Sequence, residues 1–219
     1  MNIMIAVPMN RPIEFRVFES FVRLANYRGQ HNYFFALTQN SLVYDARETL
    51  VKQMLDNPEV DAIMFIDSDM TFDPRSVEWL AAHNQPFVTA KAFKRVSPYQ
   101  PCFYSKIESL DNGECYLESP VEYGEGLLKI EGCGMACCLI RREVFEKIQA
   151  PYFFPKKGMG EDLTFCLKVK EAGIPMYVDT TLQFGHLAQV EILERDFRTV
   201  YEAHKKNQTE KMLYVDGDK

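Results

Sequence analysis

The stretch DAIMFIDSDM, Asp61 to Met70, decides the reading of this 219-residue chain. An apolar run of strand length ends abruptly in two carboxylates, Asp67 and Asp69, one residue apart. Side chains alternate along a strand, so carboxylates at i and i+2 face the same way and can share one cation. Such ligands suit magnesium or manganese, which commonly enter enzyme sites through one or two carboxylates and the phosphates of a substrate. The competing explanation is a turn or a helix cap. Asp73 already fits that task, standing before Pro74 and SVEWLAAH as an N-cap before a first-turn proline. Asp67 and Asp69 are therefore read as metal ligands.

Outward from this strand, NIMIAVPM (Asn2 to Met9) reads as a buried first strand. Glu14 to Tyr27 reads as an amphipathic helix carrying Phe15, Phe18, Val22 and Ala25 at helical spacing. NYFFALT (Asn32 to Thr38) is a second strand, and Ser41 to Leu55 a second helix stopped by Asn57 and Pro58. The alternation predicts an α/β fold with a mainly parallel sheet. Ligands of such sheets gather beyond the carboxyl ends of the strands, which puts Pro8 to Arg11 and Asp67 to Asp69 at one pocket. The second half carries shorter strands, PFVTAKAF, QPCFYSKI, ECYLE and GLLKIEGCGMACCLI, with no helix between each pair. They predict a smaller antiparallel or mixed subsheet. No linker divides the halves, so one domain over residues 1–206 is expected. Its last element is a helix within 189–206 with Val190, Leu193, Phe197, Val200 and Tyr201 on one face, able to lie on the body or support a homodimer. A polar tail follows over 207–219.

Nearly half the residues are apolar, enough for one sizeable core, and the formal charge is −6. That balance gives no global attraction to nucleic acid or acidic lipid and favours small-molecule chemistry. No leader and no run near the roughly 20 apolar residues of a membrane span is visible, so a cytoplasmic protein is expected. The six cysteines form no C-x-x-C pair; Cys133, Cys137 and Cys138 sit in GCGMACCLI as small hydrophobes.

Two further motifs carry chemistry. In GMGEDLTFCLKVKEAG, Glu161 and Asp162 open a helix that Gly173 ends. The acidic first turn complements the helix dipole, and the same position keeps a carboxylate ionised while lowering its strength as a base. His186, in LQFGHLA, reads equally as a structural histidine or as a ligand completing a cation's shell. Gly132 and Gly134 either let the backbone pass close to a ligand or relieve packing in that strand. Lys91, Lys94 and Arg95 either meet an anionic ligand or form a solvated strand end.

In this order, FIDSDM, GCGMACCLIRREVF, GEDLTFCLKVKEAG and VDTTLQFGHL resemble the family 2-like glycosyltransferases of GT-A type, over most of the chain from IAVPMN to His186. The resemblance is to short single-domain members of phages and bacteria. It implies a GT-A, Rossmann-like mixed sheet flanked by helices, with a nucleotide-binding half at 1–95 and an acceptor half at 96–188. The implied reaction is metal-dependent transfer of a sugar from a nucleoside-diphosphate sugar, UDP- or GDP-linked, to an acceptor hydroxyl. The resemblance makes Asp69 and His186 manganese or magnesium ligands, with Asp67 reaching the nucleotide ribose or completing the metal shell. Asp162 becomes the catalytic base of an inverting displacement, with Glu161 beside it. Pro8, Asn10, Ser68, Lys94 and Gly134 fall near the nucleotide sugar. Arg47 matches an arginine near the nucleotide, although Glu48 stands where the family commonly has Asn.

The implied acceptor is a glycan, a lipid-linked precursor or another hydroxyl, or a hydroxymethylated base of phage DNA. DNA would need a basic track, and only Lys91 to Arg95, Arg141 and Arg142, and Lys156 and Lys157 form short clusters. Among rival classes, a P-loop NTPase is excluded because G-x-x-x-x-G-K-[ST] is missing, and MNRPIEF lacks the glycine-rich loop of a nucleotidyltransferase. A non-catalytic sugar-nucleotide or carbohydrate-binding module is the remaining alternative.

Overall fold

The computed structural model describes residues 1–9, 11–39, 42–110 and 115–188, together with Glu194, Arg198 and Glu202. In chain order the elements are β1 (Asn2–Met9), α1 (Phe15–Asn26), β2 (Asn32–Gln39), α2 (Val43–Asp56), β3 (Ala62–Ile66), β4 (Met70–Thr71), α3 (Ser76–Ala82) and β5 (Phe87–Lys91). There follow β6 (Phe103–Tyr104), β7 (Lys106–Ser109), β8 (Cys115–Glu118), β9 (Leu127–Ile130), β10 (Gly132–Cys133), β11 (Cys137–Arg141), α4 (Arg142–Lys147), α5 (Glu161–Glu171), β12 (Met176–Gln183) and β13 (Gly185–His186).

Seven strands form one Rossmann-like mixed sheet in the order β2-β1-β3-β11-β5-β12-β9. Five point the same way, and β11 and β9 run against them. Short two-stranded antiparallel ladders, β10 with β6, β13 with β4 and β7 with β8, stand beside this sheet. The chain passes from β1 to β2 on one side and returns to β3 on the other, so the crevice beyond the carboxyl ends of β1 and β3 is a topological switch point. Reversed β11 pairs Cys137 with Ile66, which delivers residues 134–136 to that same end of the sheet.

The apolar runs of β1 and β3 are buried on both faces, as a central parallel strand requires. Met4, Ala6 and Phe65 join one core with Leu50, Val51 and Met54 of α2. Ile3, Ile5 and Ile66 join the other with Leu24 of α1 and Leu80 of α3. In the first core Phe153 packs on Phe65 with centroids 5.5 Å apart and stacks on Phe165 of α5 at 4.6 Å. That aromatic contact fixes where α5 presents its first turn. Gly173, at φ +69°, ends α5 in a Schellman motif: its amide donates to Lys170 O at 2.9 Å and the Ile174 amide to Val169 O at 3.1 Å.

The apolar face expected of α1 is not the one that packs. Phe15, Phe18 and Val22 are 76, 56 and 41 % exposed, and Ala25 is exposed too. Val17, Ser20 and Leu24 are buried instead, with Phe21 edge-on to Phe72 at 5.2 Å. The helix carries two apolar stripes, and small Ser20 selects between them, because its Oγ accepts the Phe72 amide at 3.3 Å. Asp73 is not the helix cap expected: α3 begins only at Ser76 with Arg75 in the N-cap position, and Asp73 Oδ1 instead accepts the Arg75 amide at 2.8 Å in the turn before it.

The chain divides into compact units Met1–Leu187 and Ala188–Lys219. In the second, Glu194 and Arg198 are helical and joined by a hydrogen bond of 3.0 Å. The expected apolar face of the C-terminal helix lies outside the described residues. Among the described residues no helix is long and apolar enough to cross a membrane.

Candidate active site

A cleft of about 330 Å³ opens at the switch point, lined by Pro8, Arg11, Arg47, Asp67, Ser68, Asp69, Arg95, Gly134, Glu161, Asp162 and His186 among others. Most of the residues expected at the site are therefore gathered. Asn10 lies outside the described residues, and Lys94 does not line the cleft; its Nζ donates to Gln100 Oε1 at 3.3 Å and lies over the Tyr104 ring. Arg95 takes the inward place. Lys91 sits over Tyr123, Arg141 binds Asn84, and Arg142 donates to Val60 O at 2.7 Å and Met54 O at 2.6 Å. Of the basic clusters considered as a DNA track, Arg141 and Arg142 are thus tied into the fold, whereas Lys156 and Lys157 are exposed.

The two aspartates do not face one cation by strand alternation, because β3 ends at Ile66 and both stand in the turn after it. They part to different partners. Arg47, 3 % exposed, donates from Nη2 to both oxygens of Asp67 at 2.8 and 3.1 Å, and its Nη1 is ion-paired with Glu161. Burial pushes the Asp67 carboxyl up, and the guanidinium opposes it. Glu48 points elsewhere, accepting the amide of Phe153. That bond ties Glu48 to the segment whose Phe153 stacks on Phe165 of α5.

Asp69 meets His186 through the β4–β13 ladder, in which His186 pairs with Met70 and the Leu187 amide donates to Asp69 O at 2.9 Å. A Cβ on Gly185 would stand 2.4 Å from Thr71 Oγ1, so any larger residue there has to push that hydroxyl aside. His186 Nδ1 is 2.8 Å from the Phe93 carbonyl, which fixes an Nδ1–H tautomer and turns Nε2 toward Asp69 Oδ2, 3.5 Å away. A lone pair facing a carboxylate at that distance needs a proton or a cation between them. Burial raises the Asp69 carboxyl, but His186, Arg95 and Arg11 outweigh it and the net shift is down. Among the described residues no three His, Cys, Asp or Glu side chains gather as a metal-holding group. Two protein ligands completed by phosphate and water is nonetheless a usual arrangement for magnesium.

Across the cleft, Asp162 sits in the first turn of α5. A Cβ on Gly160 would lie 2.8 Å from its Oδ1, and one on Gly134 3.7 Å from its Oδ2. Burial, with Glu161 as like-charged neighbour, raises the Asp162 carboxyl to about 6, against Arg47 and the Leu163 amide, which donates to it at 2.8 Å. The helix terminus was expected to lower its basicity. Desolvation reverses that sign.

No protein-family model and no curated protein matches this chain. Among solved structures it is similar to the crystal structure of A197 from STIV. The TM-score is 0.62 and the identity 21 %, over 86 % of this chain and 87 % of that one. At that identity the likeness is one of fold.

Several participants carried no sequence signal strong enough to assign. Arg11 stood at the pocket through its place after β1, but nothing in MNRPIEF showed that its guanidinium reaches Asp69, 2.6 Å away. Cys102 also lines the cleft; burial raises its thiol to about 11, so it is protonated and unreactive there. Gly132 is a packing glycine: a Cβ would meet Ile107 Cδ1 at 1.9 Å. Gly134 is the one that lines the cleft.

Proposed function

We propose that this protein is a divalent-metal-dependent glycosyltransferase, moving a sugar from a nucleoside-diphosphate sugar to an acceptor hydroxyl with inversion. The observation that supports this best is one cleft holding two kinds of carboxylate: Asp69, lowered and paired with His186, and Asp162, raised to about 6. Environments that push two carboxylates apart in pKa assign them different tasks. Asp69 and His186 are suited to hold manganese or magnesium, which would neutralise charge developing on the leaving diphosphate. Asp162, largely ionised at neutral pH, is the base for the acceptor. As the hydroxyl oxygen bonds to the anomeric carbon, the bond to the diphosphate oxygen breaks and the hydroxyl proton passes to Asp162. Arg47 holds Asp67 and Glu161 in place beside it. The likeness to a solved fold adds nothing on activity, so the proposal rests on the cleft and on the motif order.

The test is nucleotide release from a panel of UDP- and GDP-sugars with manganese, for the wild type, Asp69→Ala and Asp162→Asn. Metal-dependent release by the wild type and its loss in both variants is the expected result. No hydrolysis or transfer with any donor, together with unchanged manganese affinity in Asp69→Ala, would sink the proposal.

A further inference from the structure

Three nitrogen groups converge on a single oxygen, Oδ2 of Asp69: Arg11 Nη2 at 2.6 Å, Arg95 Nη1 at 2.8 Å and His186 Nε2 at 3.5 Å. The carboxylate is fixed in the cleft wall at 13 % side-chain exposure, while the arginines reach it from loops after β1 and β5 with 50 and 42 % of their side chains exposed. One carboxylate oxygen offers about two acceptor positions. Two guanidinium hydrogens occupy them, so a cation ligated by this oxygen and His186 displaces at least one arginine. Arg47 is the contrast: its side chain is 4 % exposed and it is bound to two carboxylates, so it stays.

We propose that Arg11 and Arg95 form a parked anion clamp that couples donor binding to metal binding. Resting on Asp69, they hold the divalent cation off Oδ2. A diphosphate entering the cleft draws them away, since the planar guanidinium fork matches phosphate oxygens as well as carboxylate, and Asp69 is released to the metal. The consequence is reciprocal: each ligand strengthens the other through the same two side chains, beyond any direct metal–phosphate contact. This inference rests on the nucleoside-diphosphate reading of the cleft.

The test is manganese affinity, by calorimetry or electron paramagnetic resonance, without and with saturating UDP or GDP as probes. The wild type is compared with Arg11→Gln/Arg95→Gln and with each single variant. Both side chains are about half exposed, so the fold is expected to survive, and circular dichroism checks it. The double variant should bind manganese alone roughly three- to tenfold more tightly than the wild type, the scale of two exposed ion pairs. It should bind UDP or GDP more weakly, and the metal–nucleotide coupling factor should shrink; each single variant should move the same way by less. Manganese affinity that is unchanged or weaker overturns the clamp, as does a gain of equal size with and without nucleotide, which is simple charge removal. If the wild type binds manganese and nucleotide but the variants do not move, this inference alone fails. If it binds neither, the glycosyltransferase proposal fails with it.

Discussion

The guanidinium of Arg47 lies between Asp67 and Glu161 and holds Asp67 by both of its carboxylate oxygens. The pair of aspartates that looks like one unit in the sequence is thereby divided between two partners, Asp67 held by Arg47 and Asp69 facing His186. Removing Arg47 leaves two poorly solvated carboxylates facing each other. Breaking such a buried pair typically costs about 3 to 5 kcal/mol. Arg47→Ala should therefore lower the urea midpoint strongly at constant m-value, and Arg47→Lys should recover only part, because one ammonium cannot serve both partners in fork geometry.

Asp162→Asn should separate activity from stability. General-base assistance contributes about 10² to 10⁴, so turnover should fall by that scale. The folded carboxyl is raised to about 6, above its unfolded value. Its proton-linked stabilisation is fully present below the unfolded pKa and lost as pH rises through 6. The amide cannot ionise and escapes that loss. Thermal unfolding should therefore show Asp162→Asn more stable than the wild type above pH 6, by up to about 3 kcal/mol, with the advantage fading toward pH 4. If Asp162 is the base, turnover of the wild type should fall below pH 6 as its carboxylate protonates. A variant equally stable at every pH would show that the carboxyl is not raised.

How much was legible follows from which forces were local. The strands β1 and β3 were readable because burial on both faces leaves an uninterrupted apolar run, and the end of α5 because Gly173 terminates it in a left-handed conformation. The placing of α1 was not readable. Its two apolar stripes have the same period, and the choice depends on Ser20 meeting a backbone amide 52 residues away. The parting of Asp67 from Asp69 was hidden for the same reason, since it depends on Arg47 reaching across from α2. The sign of the Asp162 shift also depends on tertiary burial, where sequence shows only the helix terminus.

If Asp69 and His186 hold the metal, manganese should stabilise the folded protein. At a free concentration one hundred times the dissociation constant the gain is about 2.7 kcal/mol. His186→Ala should reduce the manganese-induced rise in unfolding temperature, and chelation with EDTA should abolish it along with turnover. Magnesium at higher concentration should restore both. An equal rise in wild type and His186→Ala would remove His186 from the metal site.

Gly132 and Gly134 stand two residues apart and should fail in opposite ways. A methyl at Gly132 meets Ile107 Cδ1 at 1.9 Å and Cys166 Cβ at 3.2 Å, both in the core. Overpacking of this kind costs about 1 to 3 kcal/mol, so Gly132→Ala should lower unfolding stability by that amount. A methyl at Gly134 makes only 3.7 Å contacts, with Asp162 Oδ2 and Cys102 Cβ. Its stability should stay within about 0.5 kcal/mol of wild type. That methyl occupies the cleft wall facing Asp162, and if a donor sugar approaches there the donor KM should rise while the unfolding curve stays in place. A Gly134→Ala protein that loses stability but keeps its KM would show that this wall is not where the sugar sits.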